Sequence, residues 1–204
     1  MKSLLDKFLS LRCAGDVLES VQPLTGDVTR RICESMALIE AIRPLVLKHR
    51  SEYRLVEFCY GAPLTSIIAA HLLPIEDARA FVTRSKFDHA AIERVKNFRV
   101  FTTVDLPAAV PIDGKTIVVS PSVRGALAMD VAKWCNAKDA PMAIIPSRGK
   151  VKLSSTGNAV AKLTGNRYFA WLQDLAESCN GKLRVPMSLV DSRITNCCLV
   201  TRGL

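Results

Sequence analysis

The sequence has few aromatic residues and no long hydrophobic run, and each shortage argues against a class of protein. Aromatic residues make up 6% of the 204 residues, and no RNA-binding signature with interleaved aromatics occurs. No segment reaches the roughly 18 to 20 uncharged apolar residues that a membrane span needs. Asp6 and Lys7 interrupt the apolar N-terminal run, which argues against a secretory signal. We therefore expect a cytoplasmic protein that does not span a membrane.

The sequence also lacks the spacing of a metal site. None of the seven cysteines belongs to a C-x-x-C pair, and the three histidines do not cluster with them. We therefore expect no bound zinc or other metal. The cysteines are interpreted as buried thiols that behave as small hydrophobic residues in a reducing compartment.

The residues that are abundant indicate a globular α/β protein. Hydrophobic residues make up 49% of the chain, enough for a substantial core, and charged residues make up 23%. Residues 1–52 are predicted to form an N-terminal helical extension packed on a domain of residues 53–204. Five apolar residues in this region recur at the spacing of one buried helical face: Ile32, Met36, Ile39, Ile42 and Val46.

From Arg54 onward, short apolar runs alternate with helix-like stretches. Several runs are apolar on consecutive residues, as in parallel strands covered by helices on both faces. Only about five residues separate the last two runs, too few for a crossover helix, so these strands should pair antiparallel. The predicted strands are Leu55–Cys59, Arg79–Thr83, Arg99–Val104, Thr116–Ser120, Met142–Ile145, Leu183–Val190 and Cys197–Thr201. The prediction is a three-layer α/β fold with a seven-stranded, mostly parallel sheet that ends in an antiparallel hairpin.

This order of elements resembles that of the class I S-adenosylmethionine-dependent methyltransferases, whose Rossmann-like sheet also ends in an antiparallel hairpin. The segment Leu55-Val56-Glu57-Phe58-Cys59-Tyr60-Gly61-Ala62-Pro63 is similar to the first motif of that family, a strand, an acidic residue and a glycine-bearing turn into a helix. The resemblance implies S-adenosylmethionine as cofactor, with Glu57 holding its ammonium group, directly or through water, beside Cys59 and Gly61. Gly61 can adopt positive φ, and the following helix offers N–H groups at its start.

The turn departs from the family's usual pattern in its glycines. The family has two or three glycines here and this chain has one, with Cys59, Tyr60 and Ala62 in the neighbouring places. Tyr60 could line a pocket or plug it. A structural turn that binds no ligand is the alternative interpretation.

Two further positions bear on the cofactor. Asp105 follows the third strand, where family members often place an Asp that accepts a hydrogen bond from the adenine amino group; an exposed aspartate without a partner is the alternative. The second strand ends at Arg84, where the family usually has a carboxylate for the ribose hydroxyls. An arginine suits a phosphate or a carboxylate better than a diol. Either Asp88 substitutes for that carboxylate, or cofactor binding is weak or lost.

The substrate side is predicted at the ends of the fourth and fifth strands. Asp113–Ser120 resembles the turn and strand that deliver active-site residues in the family. Ser120 and Ser122 then lie where ligands bind in open α/β sheets, and Arg148 follows the fifth strand. These three residues are the candidate catalytic residues. Neither serine has a histidine base nearby in sequence, so a hydrolase triad has no support.

The basic charge is concentrated in one part of the chain. The net charge is +9, and no acidic residue lies between Asp139 and Asp174. A basic rim beside the cofactor cleft would attract a polyanion such as RNA. The alternative is a basic surface with no specific partner. Three glycines are expected to keep this stretch a flexible connection: Gly149, Gly157 and Gly165.

Two hypotheses of function follow. The first is an S-adenosylmethionine-dependent methyltransferase that acts on an anionic substrate such as RNA. The second is a catalytically inactive, methyltransferase-like module that binds nucleic acid or a protein partner. Glu57 with Asp105 favours the enzyme, and the missing second-strand carboxylate with the single glycine favours the module.

Overall fold

The structure, a computed structural model, describes residues 3–21, 27–50, 52–82, 89–102, 110–147, 152–184 and 198–204. The helices are α1 (Leu4–Leu9), α2 (Ala14–Ser20), α3 (Val28–Lys48), α4 (Leu64–Leu72), α5 (His89–Glu93), α6 (Gly125–Ala137), α7 (Ser155–Thr164) and α8 (Arg167–Ser178). The strands are β1 (Arg54–Cys59), β2 (Ala78–Val82), β3 (Phe98–Thr102), β4 (Thr116–Arg124), β5 (Met142–Ser147), β6 (Lys182–Arg184) and β7 (Leu199–Arg202).

The strands form one sheet in the order β3-β2-β1-β4-β5-β7-β6. Neighbouring strands from β3 to β5 are parallel, and β7 runs antiparallel to both β5 and β6. This arrangement confirms the predicted seven-stranded Rossmann-like fold with its terminal antiparallel hairpin. Residues 185–197, which include most of the predicted sixth strand, lie outside the described residues.

Helices cover the centre of the sheet on both faces, which explains why β1 has apolar residues on both of its faces. Leu55 and Cys59 belong to a hydrophobic cluster that includes α3 and α4. Val56 and Phe58 point to the other face and join a second cluster with α6 and α8. Successive side chains of a strand point to opposite faces, so both sets are buried. Glu57 therefore shares the α4 face with Leu55.

Helix α3 belongs to one of the layers that cover the sheet. Its N-terminus is capped by Asp27, whose side chain accepts a hydrogen bond from the Arg30 N–H at 2.9 Å. The helix contacts α4, β4 and β5, and its apolar face shares one cluster with Ile117 and Ala143 of the sheet. Helix α3 thus packs directly on the sheet, and a domain boundary near residue 52 stays a prediction.

The glycines after β5 do not form the expected flexible connection. Gly157 is buried inside α7, where a Cβ atom would lie 2.2 Å from the Asp174 Oδ2 atom of α8. Its missing side chain allows the two helices to approach closely. Gly165 has φ +66° and ends α7 in the left-handed conformation that glycine adopts readily. Gly149 lies outside the described residues.

Candidate functional site

The carboxyl ends of β1 and β4 form the switch point of the sheet. The chain proceeds from β1 outward to β3 on one side and then returns to the other side of β1 to form β4. In open α/β sheets, ligands bind in the crevice beyond the strands at such a point. The predicted residues Glu57, Cys59, Gly61, Ser120 and Ser122 lie on these two strands and the turn after β1.

The turn after β1 leaves open space at its glycine. Gly61 has φ +91°, and a Cβ atom built on it would have no neighbouring heavy atom within 4 Å. The Tyr60 side chain is 56% exposed, so its ring is not packed into the core beneath the turn. The backbone of this turn is therefore accessible to a ligand at Gly61.

Glu57 lies beneath the first turn of α4 with its side chain fully buried. One carboxylate oxygen, Oε2, accepts a hydrogen bond from the Ser66 N–H at 2.6 Å. The other oxygen, Oε1, has no hydrogen-bond partner among the described residues. Burial raises the pKa of Glu57 above its ordinary value of 4.5, and contacts with Ser66 and Thr65 oppose that rise. The Glu57 side chain thus accepts a hydrogen bond from one of the N–H groups at the start of α4. The sequence predicted that these N–H groups would be available to a ligand.

Cys59 ends β1, directly before the turn that contains Gly61. Its thiol is buried, and Sγ lies 3.5 Å from the Gly61 carbonyl oxygen, to which it donates. Burial raises the pKa of this thiol well above 9.0, and the nearby Glu57 raises it further. A thiol that stays protonated is a poor nucleophile, so Cys59 shapes the turn rather than reacting.

Ser120 does not point outward from the end of its strand. Its hydroxyl is buried and donates a hydrogen bond to the Phe58 carbonyl oxygen at 2.5 Å. This bond joins β4 to β1 just below the switch point.

Ser122 lies where β4 bulges. The pairing of β4 with β5 shifts between Ser120 and Val123, so the bulge adds an extra residue to β4. Ser122 has φ +52°, a conformation that residues other than glycine rarely adopt. Bulges and such strained residues are frequent beside functional sites because they redirect a side chain.

The Ser122 hydroxyl is held by two residues of α3 that were not predicted as site residues. It donates to Oε2 of Glu34 at 2.7 Å and accepts from Nη2 of Arg30 at 3.3 Å. Arg30 Nε also donates to Oε1 of Glu34 at 2.8 Å. Glu34 is 3% exposed, whereas about half of the Arg30 side chain is exposed. We refer to Arg30, Glu34 and Ser122 as the α3 clasp.

Arg31, which follows Arg30 in α3, contacts the turn after β1. Arg31 Nη2 donates to the Ala62 carbonyl oxygen at 2.9 Å. The start of α3 therefore touches both sides of the switch point, at Ala62 and at Ser122. The Arg30-Arg31 pair shows no pattern in the sequence, and its partners lie 31 and 92 residues away, so no local signal could reveal these contacts.

Three predicted site residues cannot be placed. Arg84, Asp105 and Arg148 lie outside the described residues, as does Asp88. Their roles remain predictions. The described part of the chain contains no group of three or more histidine, cysteine or acidic side chains that could hold a metal ion. Within that part, none of the helices has both the length and the apolar character that crossing a membrane requires.

No protein-family model matches the chain, and no curated protein matches it in sequence. Solved structures do show likeness. The YcgJ protein of Bacillus subtilis is 12% identical with a TM-score of 0.43, covering 71% of this chain and 70% of its own. A SAM-dependent methyltransferase from Aquifex aeolicus is 11% identical with a TM-score of 0.40, covering 78% of this chain and 87% of its own.

Coclaurine N-methyltransferase bound to N-methylheliamine and SAH is 10% identical with a TM-score of 0.37. That likeness covers 72% of this chain and 46% of the enzyme. Two of these three similar structures are thus named as methyltransferases. The fold assignment of this chain rests on its own strand order and pairing directions.

Proposed function

We propose that the chain is an S-adenosylmethionine-dependent methyltransferase whose cofactor binds at the turn after β1. The observation that carries this proposal is the open space above Gly61 at the switch point of a β3-β2-β1-β4-β5-β7-β6 sheet. When bound, S-adenosylmethionine would supply a methyl group activated by the sulfonium charge.

The unpartnered oxygen of Glu57 supports the same assignment. A buried carboxylate oxygen without a hydrogen-bond partner carries a desolvation cost that a donor would remove. An ammonium group is such a donor, and its charge would offset that of the carboxylate. Glu57 would therefore hold the amino group of the cofactor's methionine moiety. Cys59 would border the cofactor, and Asp105 would lie at the adenine as the resemblance implies. Arg84 would stand where the family has its ribose-binding carboxylate, so Asp88 would replace that carboxylate.

The substrate side would be formed by the bulge of β4 and the loop after β5. The exposed guanidinium of Arg30 beside Ser122 would attract a negatively charged substrate such as RNA, together with Arg148. Ser122 would touch the substrate at the end of its strand. Ser120, whose hydroxyl is engaged with Phe58, would act by fixing β4 against β1. The protein would contribute mainly orientation, as methyl transfer requires in-line geometry.

Two contacts favour the second candidate, an inactive module. Arg31 binds the Ala62 carbonyl oxygen in the turn, and Glu57 already occupies the Ser66 N–H. Both contacts complete the turn without a ligand. A module of this kind would keep the sheet and use its basic surface to bind nucleic acid or a protein partner.

Calorimetric titration of the purified chain with S-adenosylmethionine separates the two candidates. We expect micromolar binding that Gly61→Ala weakens at least tenfold, because a side chain at φ +91° strains the turn and fills the open space. Gly114→Ala is the matched control, since Gly114 also has open space around it but no positive φ. Absence of heat at millimolar cofactor, from folded protein, would reject the methyltransferase.

A further inference from the structure

The described residues leave one face of the sheet open at its β3 edge. On β2, Ala78, Ala80 and Val82 are buried, whereas Arg79 and Phe81 on the opposite face are half-buried. On β3, Arg99 and Phe101 are exposed, and Phe101 is 40% exposed. The strand register places Arg79 beside Arg99 and Phe81 beside Phe101. We call these four residues the Arg–Phe face.

The two phenylalanines of this face form a supported aromatic surface. Their rings are stacked, with centroids 5.1 Å apart and planes inclined by 14°. Phe81 also packs against Phe58 at 5.9 Å, and Phe58 packs against Trp134 at 5.7 Å. The row of rings is thus anchored in the core at one end and exposed at Phe101. A ring held in this way can stack on a nucleic-acid base with little further loss of conformational entropy.

The two arginines bring like charges together on neighbouring strands. Arg79 donates from Nε to Asp77 Oδ2 at 2.6 Å. Arg99 has no hydrogen bond or ion pair with any residue in the described ranges. Like charges side by side on a sheet are destabilising, and phosphate groups would remove that repulsion. The charge of the arginines and the exposed ring of Phe101 therefore both indicate a nucleic-acid partner.

We propose that the Arg–Phe face binds single-stranded nucleic acid, with a base stacked on Phe101 and phosphates on Arg99 and Arg79. This inference goes beyond the proposed methyl transfer, because the face lies on β2 and β3 and binding there requires no cofactor. Single strands fit better than duplexes because only an unpaired base can be unstacked from its neighbours and placed on a side-chain ring. The chain's net charge of +9 favours the same encounter.

Fluorescence anisotropy with a short, labelled, mixed-sequence RNA tests the aromatic part, without any cofactor present. Phe101→Ala is expected to weaken binding about tenfold, the range found for removal of one stacking ring. Phe169→Ala is the matched control, because Phe169 is 37% exposed on α8, and its affinity should stay within about twofold of the unaltered protein. Phe101→Tyr keeps an aromatic ring and should bind the RNA as tightly as the unaltered protein. Phe101→Leu keeps an apolar side chain without a ring and should bind the RNA more weakly.

Salt dependence tests the arginines. Arg99→Gln is expected to reduce the slope of log affinity against log salt by about one, as loss of a single phosphate contact does. Arg43→Gln removes the same charge from an exposed position on α3, in the layer on the other side of the sheet, and should leave the slope unchanged.

Three results would overturn the proposal. Equal losses in Phe101→Ala and Phe169→Ala, or in the two arginine variants, would mean that binding follows overall charge. Equal affinity for single-stranded and duplex RNA would exclude base stacking. An unchanged RNA affinity of Phe101→Ala would mean that no base stacks on this face.

Discussion

The two sides of the switch point each hold a buried glutamate, and the two carboxylates have different surroundings. Glu34 on the β4 side has bonds to Ser122 and Arg30 through its two oxygens. Glu57 on the β1 side has one bond, to the Ser66 N–H, and one buried oxygen without a partner in the described structure. The first carboxylate completes a contact between a helix and the sheet. The second keeps one oxygen, Oε1, without a hydrogen-bond partner among the described residues, which is the property expected of a residue that binds a ligand.

The largest effect on stability is expected from breaking the α3 clasp. Glu34→Ala removes the acceptor of both Ser122 and Arg30 and should lower the free energy of unfolding by about 2 kcal/mol. Glu34→Gln should cost less, because its amide oxygen still accepts from the serine hydroxyl. Urea denaturation of both variants measures the difference. Equal free energies of unfolding of Glu34→Ala and the unaltered protein would show that the α3 clasp does not stabilise the fold.

Two substitutions at Ser122 distinguish the contribution of its hydroxyl to stability from the cost of its strained backbone. Their effects are expected to be smaller. Ser122→Ala loses the bond to Glu34 and keeps the positive φ, so we expect a loss of about 1 kcal/mol. Ser122→Gly loses the same bond but relieves a backbone strain of about 1 kcal/mol. The glycine variant should therefore be the more stable of the two in thermal denaturation. If alanine were the more stable, the positive φ would not be a strained conformation.

The smallest effect concerns the pH dependence of Glu57. Its pKa is raised on folding, so the folded chain binds more protons than the unfolded chain above pH 4.5, and stability falls as the pH rises through the raised pKa. Glu57→Gln cannot ionise and lacks that fall. Its stability relative to the unaltered protein should therefore increase as the pH rises above 4.5. Urea denaturation at several pH values measures this, and a constant or decreasing difference would contradict the raised pKa.

The fold was predictable because its signals are local. The apolar residues that flank Glu57 in Leu55–Cys59 indicated a strand buried on both faces, and the short separation of the last two strands indicated the antiparallel hairpin. The fourth strand proved longer than predicted because the bulge lets it continue past Ser120 to Arg124. The prediction for Gly157 was wrong. Its missing side chain allows Asp174 of α8 to approach α7 closely, and a contact between two helices leaves no local signal in the sequence.

The site was only partly predictable. Glu57 and Gly61 follow from the pattern of one strand and one turn. The α3 clasp joins residues 88 positions apart, and Glu34 lies among apolar residues whose spacing predicts only a buried helix face. Ser120 and Ser122 were equivalent in the sequence. The bulge gives them different environments: the Ser120 hydroxyl is buried within the sheet, and the Ser122 hydroxyl contacts Glu34 of α3.

The affinity for S-adenosylmethionine in Glu57→Gln and Glu34→Gln tests the difference between the two carboxylates most directly. Both substitutions replace a buried carboxyl group with an amide and keep the shape of the side chain. We expect Glu57→Gln to weaken cofactor binding about tenfold or more, the cost of losing a charge-assisted bond to an ammonium group. Glu34→Gln should change the affinity less than about twofold, because both oxygens of Glu34 are bonded to protein groups, the Ser122 hydroxyl and Arg30. Equal affinities in the two variants, or stronger loss in Glu34→Gln, would contradict the assignment of Glu57 as the cofactor's ligand.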